Sequence, residues 1–232
     1  MRTRVGFSIC GHGHHLFQSY RLNRYSMLGR DEMIYRQLES HKIEEMLIIS
    51  PSIAPIFQDH DSYDLERLLD IYVGVPVGVA GQTGLSQLCH LAELGCIERF
   101  CFSGKLHRDR SPELEFVMRN CGRQAIVGLI PFLVDANLSV STLSPNHLEF
   151  TPLTLEHVTK AYDLCDEVIF QDIMAYGSRD CFHIDQISPF VLWPNRTILN
   201  GGIGADQAQS FMNLGVAALY LDNLAFHSER NC

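Results

Sequence analysis

Glycine-containing turns at two places in the sequence are suited to holding the phosphate group of a ligand. Gly81 and the pair Gly201-Gly202 each follow a short apolar run and precede an amphipathic stretch. Glycine lets a ligand approach the backbone closely, and the N-terminus of the helix that follows offers unpaired N–H groups and the positive end of its dipole. A chain that only needs a tight turn uses glycine in the same way, so one such turn alone would not decide between the two interpretations.

The two turns belong to segments that repeat along the chain. Gly81 matches Gly201 and His107 matches His227, each pair being 120 positions apart. A repeated pair of turns favours two phosphate sites, each completed by the end of the next strand. The predicted phosphate contacts are Gly81, Gln82, Ser103, Gly104, Gly201, Gly202 and Asn223. Asp222 complicates the second site, because a carboxylate there would oppose a phosphate by about 1 kcal/mol or more.

The segment Gly11-His-Gly-His-His15 is rich in a side chain that binds metals and transfers protons. It could bind a metal, contact a substrate or form an ordinary loop. Because no helix fixes the spacing of these histidines, we predict no metal site. We predict no cofactor either.

Short apolar runs alternate with amphipathic stretches along the chain, a pattern typical of βα units. Strands are predicted at residues 4–9, 46–49, 75–80, 99–103, 125–130, 168–172, 197–200 and 217–221. Helices are predicted at residues 31–40, 64–73, 85–94, 112–121, 154–165 and 205–214, with Thr154 as an N-cap and Gly95, Gly122 and Gly215 after helix ends.

Eight strand–helix units with an internal repeat predict an α/β fold in which residues 1–232 form one (βα)8 TIM barrel of two similar half-barrels. An open doubly wound sheet is the alternative. The segment 131–152 is long for a connection, and such loops are usually functional or mobile. Since about ten residues follow the last strand, we expect the eighth outer helix to be short or missing.

Composition limits the classes of function. Hydrophobic residues make up 46% of the chain and charged residues 19%, which allows a large core and argues against disorder. A net charge of −9 gives no basic surface for nucleic acid. No apolar run approaches the ~20 residues of a membrane span. The eight cysteines form no C-x-x-C pair, which favours reduced thiols in the cytoplasm.

Several stretches resemble the barrel enzymes of histidine biosynthesis, and the cyclase subunit of imidazole glycerol phosphate synthase more than the isomerase. They are Arg4-Val-Gly-Phe-Ser-Ile-Cys10, Ile43-Glu-Glu-Met-Leu-Ile-Ile49, Pro76-Val-Gly-Val-Ala-Gly81, Cys165-Asp-Glu-Val-Ile-Phe170 and Asn200-Gly-Gly-Ile-Gly204. The resemblance implies a lyase-type barrel and a substrate with a phosphate at each end. It also implies a glutaminase subunit that supplies ammonia through a channel along the barrel axis.

The sequence departs from this family where the family does its chemistry. The two catalytic aspartates of the family match Cys10 and Ile130, and isoleucine transfers no proton. The Asp-Gly after the sixth strand matches Tyr176-Gly177. The catalytic residues, if any, are therefore unknown.

The opposite end of the barrel keeps the family pattern. Four charged residues at strand starts match those that close the channel entrance in the family: Arg4, Glu45, Arg99 and Glu167. Glu98 matches an acidic residue at the glutaminase interface. Such a ring of ion pairs could gate a channel or could only seal the barrel, since residues at this end usually serve stability.

Three functions stay open. The first is a barrel subunit of a glutamine amidotransferase that docks a glutaminase and passes ammonia to a phosphorylated or sugar substrate. The second is an active cyclase or isomerase of histidine biosynthesis with altered catalytic groups. The third is a barrel that binds a phosphorylated small molecule without turnover.

Overall fold

The computed structural model describes twelve parts of the chain. They are residues 2–12, 15–20, 23–27, 42–49, 75–80, 85–93, 95, 97–103, 111–143, 149–178, 182–203 and 205–222, with the backbone alone at 11–12, 15–20, 23–27, 86–87 and 205–207. The helices predicted at 31–40 and 64–73 lie outside the described residues. So do residues 223–232, on which the prediction about the eighth outer helix rests.

Eight parallel strands close into a barrel at the centre of the molecule. The strands in chain order are β1 (Arg4–His12), β2 (His15–Tyr20), β3 (Asn23–Met27), β4 (Glu45–Ile49), β5 (Val77–Ala80), β6 (Ile97–Phe102), β7 (Ile126–Val134), β8 (Val140–Leu143), β9 (Phe150–Pro152), β10 (Glu167–Asp172), β11 (Thr197–Asn200) and β12 (Ala218–Leu221). The barrel order is β1-β4-β5-β6-β7-β10-β11-β12, and β12 pairs with β1. The predicted TIM barrel is confirmed, and the open sheet is excluded because both edges are paired.

Helices lie between the barrel strands in the described part of the chain. They are α1 (Leu85–Glu93), α2 (Pro112–Asn120), α3 (Leu155–Leu164), α4 (Ile184–Ile187) and α5 (Ala205–Met212). Short 3-10 turns cover Arg123–Ala125, Ser188–Phe190 and Pro194–Arg196. Thr154 caps α3 as predicted, since its hydroxyl accepts a hydrogen bond from the His157 N–H at 3.3 Å.

The sequence repeat recurs in the backbone after α1 and α5. Gly95 and Gly215 adopt φ values of +68° and +72°, a region that favours glycine. Each N–H closes the end of its helix, that of Gly95 on the Ala92 carbonyl and that of Gly215 on the Met212 carbonyl. The predicted helix ends are confirmed to within two residues.

Two antiparallel hairpins extend the barrel at the carboxyl ends of its strands, and the sequence patterns did not predict them. β2 follows β1 and pairs back onto it, and β3 pairs with β2. β8 and β9 follow β7 within the segment expected to be a long connection. The described residues of this segment form strands instead, and the Thr142 hydroxyl donates to the Pro131 carbonyl at 2.7 Å.

Alternate residues of the strands divide the core into two layers. One layer contains Phe100, Phe170 and Leu199, which pack with helix residues such as Leu88 and Val158. The other layer fills the barrel interior with apolar side chains: Leu47, Ile49, Val127, Leu129, Ile169 and Ile198. Side chains two residues further along these strands therefore point into the same interior.

The helices of the described residues can be compared with the length and hydrophobicity of a membrane span. None of the helices described above is long and apolar enough to span a bilayer.

Candidate functional site

The four charged residues predicted to form a ring do converge at the amino-terminal end of the barrel. Arg4 contacts Glu167 at 2.7 Å and Glu45 at 3.2 Å. Arg99 lies 3.4 Å from Glu45 and forms a closer ion pair with Glu167. Two cations and two carboxylates alternate, so the ring is neutral and each charge has two partners. Whether the ring gates a channel stays a prediction.

The aromatic ring of Tyr220 fills the interior beside these charges. A Cβ placed on Gly6 would lie 2.2 Å from two ring carbons of Tyr220 and 3.1 Å from Glu45 Cγ. Tyr220 is only 2% exposed, and burial together with Glu45 raises the pKa of its phenol well above the ordinary value. Because this buried aromatic ring reaches Gly6 and Glu45, the lumen next to the four charges is packed with a side chain.

The positions that match the catalytic aspartates of the cyclase lie in different layers. Cys10 is buried in the barrel interior at the carboxyl end of the lumen. Ile130 instead packs in the layer between the barrel and the helices, while Leu129 occupies the interior. Strand alternation thus turns the Ile130 side chain away from the lumen, and the match of Cys10 and Ile130 to the catalytic positions of the family stays a prediction.

The second predicted phosphate turn already holds an anion that belongs to the chain. Oδ2 of Asp222 accepts hydrogen bonds from the N–H of Gly202 at 2.7 Å and from the N–H of Gly177 at 2.8 Å. Asp222 is fully buried. Gly201 has φ +105°, and a Cβ there would meet the Asp172 carbonyl oxygen at 2.4 Å, so the turn requires glycine. The turn thus forms an anion cradle, but a phosphate would have to displace Asp222.

The first predicted phosphate turn is described only at Ser103. This residue lines a small pocket together with Ile130, Thr142 and His157, beneath the hairpin formed by β8 and β9. Gly81, Gln82, Gly104 and Asn223 lie outside the described residues. Phosphate binding at this turn stays a prediction.

Three further polar side chains lie buried at the carboxyl end of the lumen. Gln171 is 1% exposed, and Tyr176 and Asn200 are fully buried. Asn200 Oδ1 accepts from the Ser8 hydroxyl at 2.7 Å. In the described part of the chain, Gln171 Nε2, Asn200 Nδ2 and the Tyr176 hydroxyl have no hydrogen-bond partner. The sequence singles out Tyr176 and Asn200 only at positions matched to the cyclase, and it gives no signal for Gln171, which is one polar position at the end of an apolar strand.

Asp172 and His183 form a second polar contact that the sequence patterns did not predict. Nδ1 of His183 lies 2.6 Å from Asp172 Oδ2, and the His183 N–H donates to the same oxygen at 3.0 Å. Oδ1 of Asp172 accepts from the N–H groups of Met174 and Ala175. These bonds join Asp172 to the turn that follows β10 and to His183, which precedes α4. Asp172 therefore fixes the backbone of these two segments.

The remaining predicted positions are placed as follows. Glu98 is exposed near the start of β6, next to the ring residue Arg99. The side chains of the Gly11–His15 segment lie outside the described residues. No group of three metal-ligating side chains occurs among those that the structure describes. The described cysteines are thiols: Cys10, Cys89, Cys101, Cys121 and Cys165.

Comparison of the sequence with models of known protein families gives no match, and no curated protein matches it. The resemblance to the cyclase of histidine biosynthesis therefore stays a prediction, and any function has to be argued from the site.

Proposed function

We propose that this chain binds a small molecule carrying a single phosphate at the carboxyl end of its barrel, with the phosphate in the first glycine turn. The observation that carries the proposal is the pair of hydrogen bonds from Gly177 and Gly202 to Asp222. Two backbone N–H groups that converge on one anionic oxygen are the geometry by which proteins hold phosphate oxygens.

The sequence of the first turn repeats that of the second, but without the carboxylate. The offset of 120 residues places Phe102 at the position of Asp222. Strand alternation gives a second match: Asp222 lies two residues after the interior residue Tyr220, and Ser103 lies two residues after the interior residue Cys101. Both matching residues are neutral. From the repeat we therefore expect the first turn to offer its backbone donors to a ligand, and Ser103 can add a hydroxyl.

A ligand with two phosphates fits this site poorly. Two unit charges about 4 Å apart repel each other by about 4 kcal/mol at an effective dielectric constant of about 20. Asp222 imposes such a penalty on any phosphate entering the second turn. The proposed ligand therefore differs from the substrate that the family resemblance implies.

Titration with inorganic phosphate, followed by calorimetry and by thermal unfolding, tests the proposal. We expect one bound phosphate per chain and a rise in Tm. Ser103→Asp should weaken phosphate binding at least tenfold, because it reproduces in the first turn the carboxylate of the second. Ser210→Asp, on the exposed face of α5, is the matched control and should bind phosphate normally.

Asp222→Ser provides the converse test. Removing the carboxylate frees the N–H groups of Gly177 and Gly202, so the number of bound phosphates should rise from one to two. Absence of any phosphate binding to the wild-type chain, or normal binding by Ser103→Asp, would exclude the proposal.

A second candidate function is the barrel subunit of a glutamine amidotransferase, and the assembled ring of four charges favours it. Burial works against the charge on the Arg99 guanidinium, but Tyr220, Glu45 and Glu167 outweigh it and raise its pKa. The ring therefore keeps the charges expected of a gate. We rank this function second because Tyr220 fills the lumen directly beside the ring.

The test of the second function is binding to a glutaminase subunit encoded in the same genome. Tight binding that increases glutamine hydrolysis, and that Glu98→Lys weakens, would support it. Because Glu98 is exposed, this substitution should leave the stability of the barrel unchanged. Lack of binding would leave the ring with a purely structural role.

A further inference from the structure

Three donors without partners lie at the same end of the lumen as the proposed phosphate site. Gln171 and Asn200 are neighbours on adjacent strands, because their Cα positions pair in the register of β10 and β11. Both face the interior by alternation with Ile169 and Ile198. Tyr176 belongs to the same interior cluster as Cys10.

Buried polar atoms in folded proteins are almost always hydrogen-bonded, because leaving one unpaired forfeits its hydration without replacement. The described residues place three such atoms, on Gln171, Tyr176 and Asn200, around one end of one lumen. Ser8 and Cys10 lie close enough to the Tyr176 phenol to act on its pKa, whereas the two amide donors have no such neighbour among the described residues. None of the described residues supplies a partner for this cluster, and a ligand oxygen would satisfy it.

We infer that Gln171 Nε2, Asn200 Nδ2 and the Tyr176 hydroxyl bind the uncharged part of the ligand through its sugar hydroxyl or carbonyl oxygens. The inference rests on the proposed function, because it assigns the remainder of a molecule whose phosphate lies in the first turn. The three groups offer two amide donors and a phenol, so the ligand must present oxygen acceptors to them.

The charge of the surroundings decides against an anionic group at this position. Asp222 is fully buried beside Gly177, the residue that follows Tyr176. Burial, and then Cys10 and Asp222, raise the pKa of the Tyr176 phenol well above its ordinary value. The same negative surroundings that keep the phenol neutral disfavour a carboxylate or a second phosphate, and they leave neutral oxygens as the acceptors.

The test compares ribitol 5-phosphate, ribulose 5-phosphate, inorganic phosphate and ribitol on the wild-type chain and two variants. Gln171→Met and Tyr176→Phe each remove an unpaired donor with little change in volume. We expect the sugar phosphates to bind at least tenfold more tightly than inorganic phosphate. Each variant should lose most of that advantage and bind inorganic phosphate as before.

The two sugar phosphates distinguish the oxygen that is recognised. Preference for ribitol 5-phosphate assigns hydroxyl groups, and preference for ribulose 5-phosphate assigns the carbonyl. The stability of the free protein gives an independent readout, because removing an unpaired donor should leave the variants at least as stable as the wild type. A marked loss of stability in both variants would mean that the donors already have partners, and would overturn the inference.

Separate outcomes identify a failure of the inference and a failure of the proposed function. If inorganic phosphate binds and Ser103→Asp abolishes it, but the sugar phosphates bind no more tightly, the inference is wrong and the proposed function stands. If phosphate does not bind, but ribitol stabilises the wild type and not Gln171→Met, the proposed function is wrong and the inference stands.

Discussion

At the scale of single residues, Gly6 and Tyr220 are matched to each other inside the barrel. The aromatic ring occupies the space into which any side chain at position 6 would point. The backbone at Gly6 requires no positive φ, so the need for glycine comes from its neighbours, chiefly Tyr220 and to a lesser extent Glu45. This distinguishes it from Gly201, where the backbone angle and the Asp172 carbonyl both exclude a side chain.

Gly6→Ala should therefore destabilise the protein by about 1–3 kcal/mol, the usual cost of overfilling a packed core. Urea denaturation measures this loss. Combining it with Tyr220→Leu, which opens space, should recover part of the loss in a double-mutant cycle. Additive effects of the two substitutions would contradict the proposed match.

Cys165 gives a prediction about pH. Burial raises the pKa of its thiol to about 12, well above that of an unfolded cysteine. Because the folded state holds this proton more tightly, the corresponding stability is present below pH 9 and is lost as the pH rises towards 12. Stability measured between pH 8 and 11 should decline, and the decline should be smaller in Cys165→Ala. An identical slope in the two proteins would refute the assignment.

The residues of the candidate site were harder to predict from the sequence than the fold. The glycines and Asp222 stand out because they break an apolar pattern where strands end. Gln171 and Asn200 give no such signal, since one amide at the end of a strand is common. Only the register of β10 and β11 shows that the two amides are neighbours.

At the scale of elements, all eight barrel strands could be predicted because a parallel strand covered on both faces is a short continuous apolar run. The two hairpins could not. β2, β3, β8 and β9 carry polar residues such as Ser19, Asn23 and Ser141 among the apolar ones, and their pairing depends on the strands that they extend. Such edge hairpins have no pattern independent of the sheet that receives them.

The N-cap of α3 provides the prediction at this scale. Thr154→Ala should cost about 0.5–2 kcal/mol, because the hydroxyl satisfies the His157 N–H at the start of the helix. Ser111 precedes α2 in the same position, but its hydroxyl donates to Glu113 and caps no backbone group. Ser111→Ala should therefore cost less in chemical denaturation. If Ser111→Ala cost as much free energy of unfolding as Thr154→Ala, or more, the loss at Thr154 could not be assigned to its hydrogen bond with the His157 N–H.

At the scale of the whole molecule, the two ends of the barrel differ in how their polar groups are satisfied. The amino-terminal ring pairs all its charges within the chain, whereas three buried donors at the carboxyl end find no partner among the residues that the structure describes. This difference between the two ends is what the proposed ligand at the carboxyl end would account for. This agrees with the general position of ligand sites in such barrels.

The ring supplies the last prediction, because it joins strands from both halves of the chain. Glu167 contacts Arg4 and Arg99 with only 18% of its side chain exposed. Glu167→Gln leaves two guanidinium groups sharing Glu45, and we expect a loss of about 2–3 kcal/mol, somewhat below the cost at a fully buried pair. Glu115→Gln, at an exposed pair with Arg119 in α2, should cost no more than about 0.5 kcal/mol.

Denaturation at low and at 1 M salt separates the two substitutions. Salt should remove the small effect of Glu115→Gln and leave most of that of Glu167→Gln, because partly buried charges are screened less. A small effect of Glu167→Gln at both salt concentrations would mean that the ring does not stabilise the barrel. The presence of four charges at this end of the barrel would then need an explanation other than stability. Docking of a glutaminase would become the first function to test.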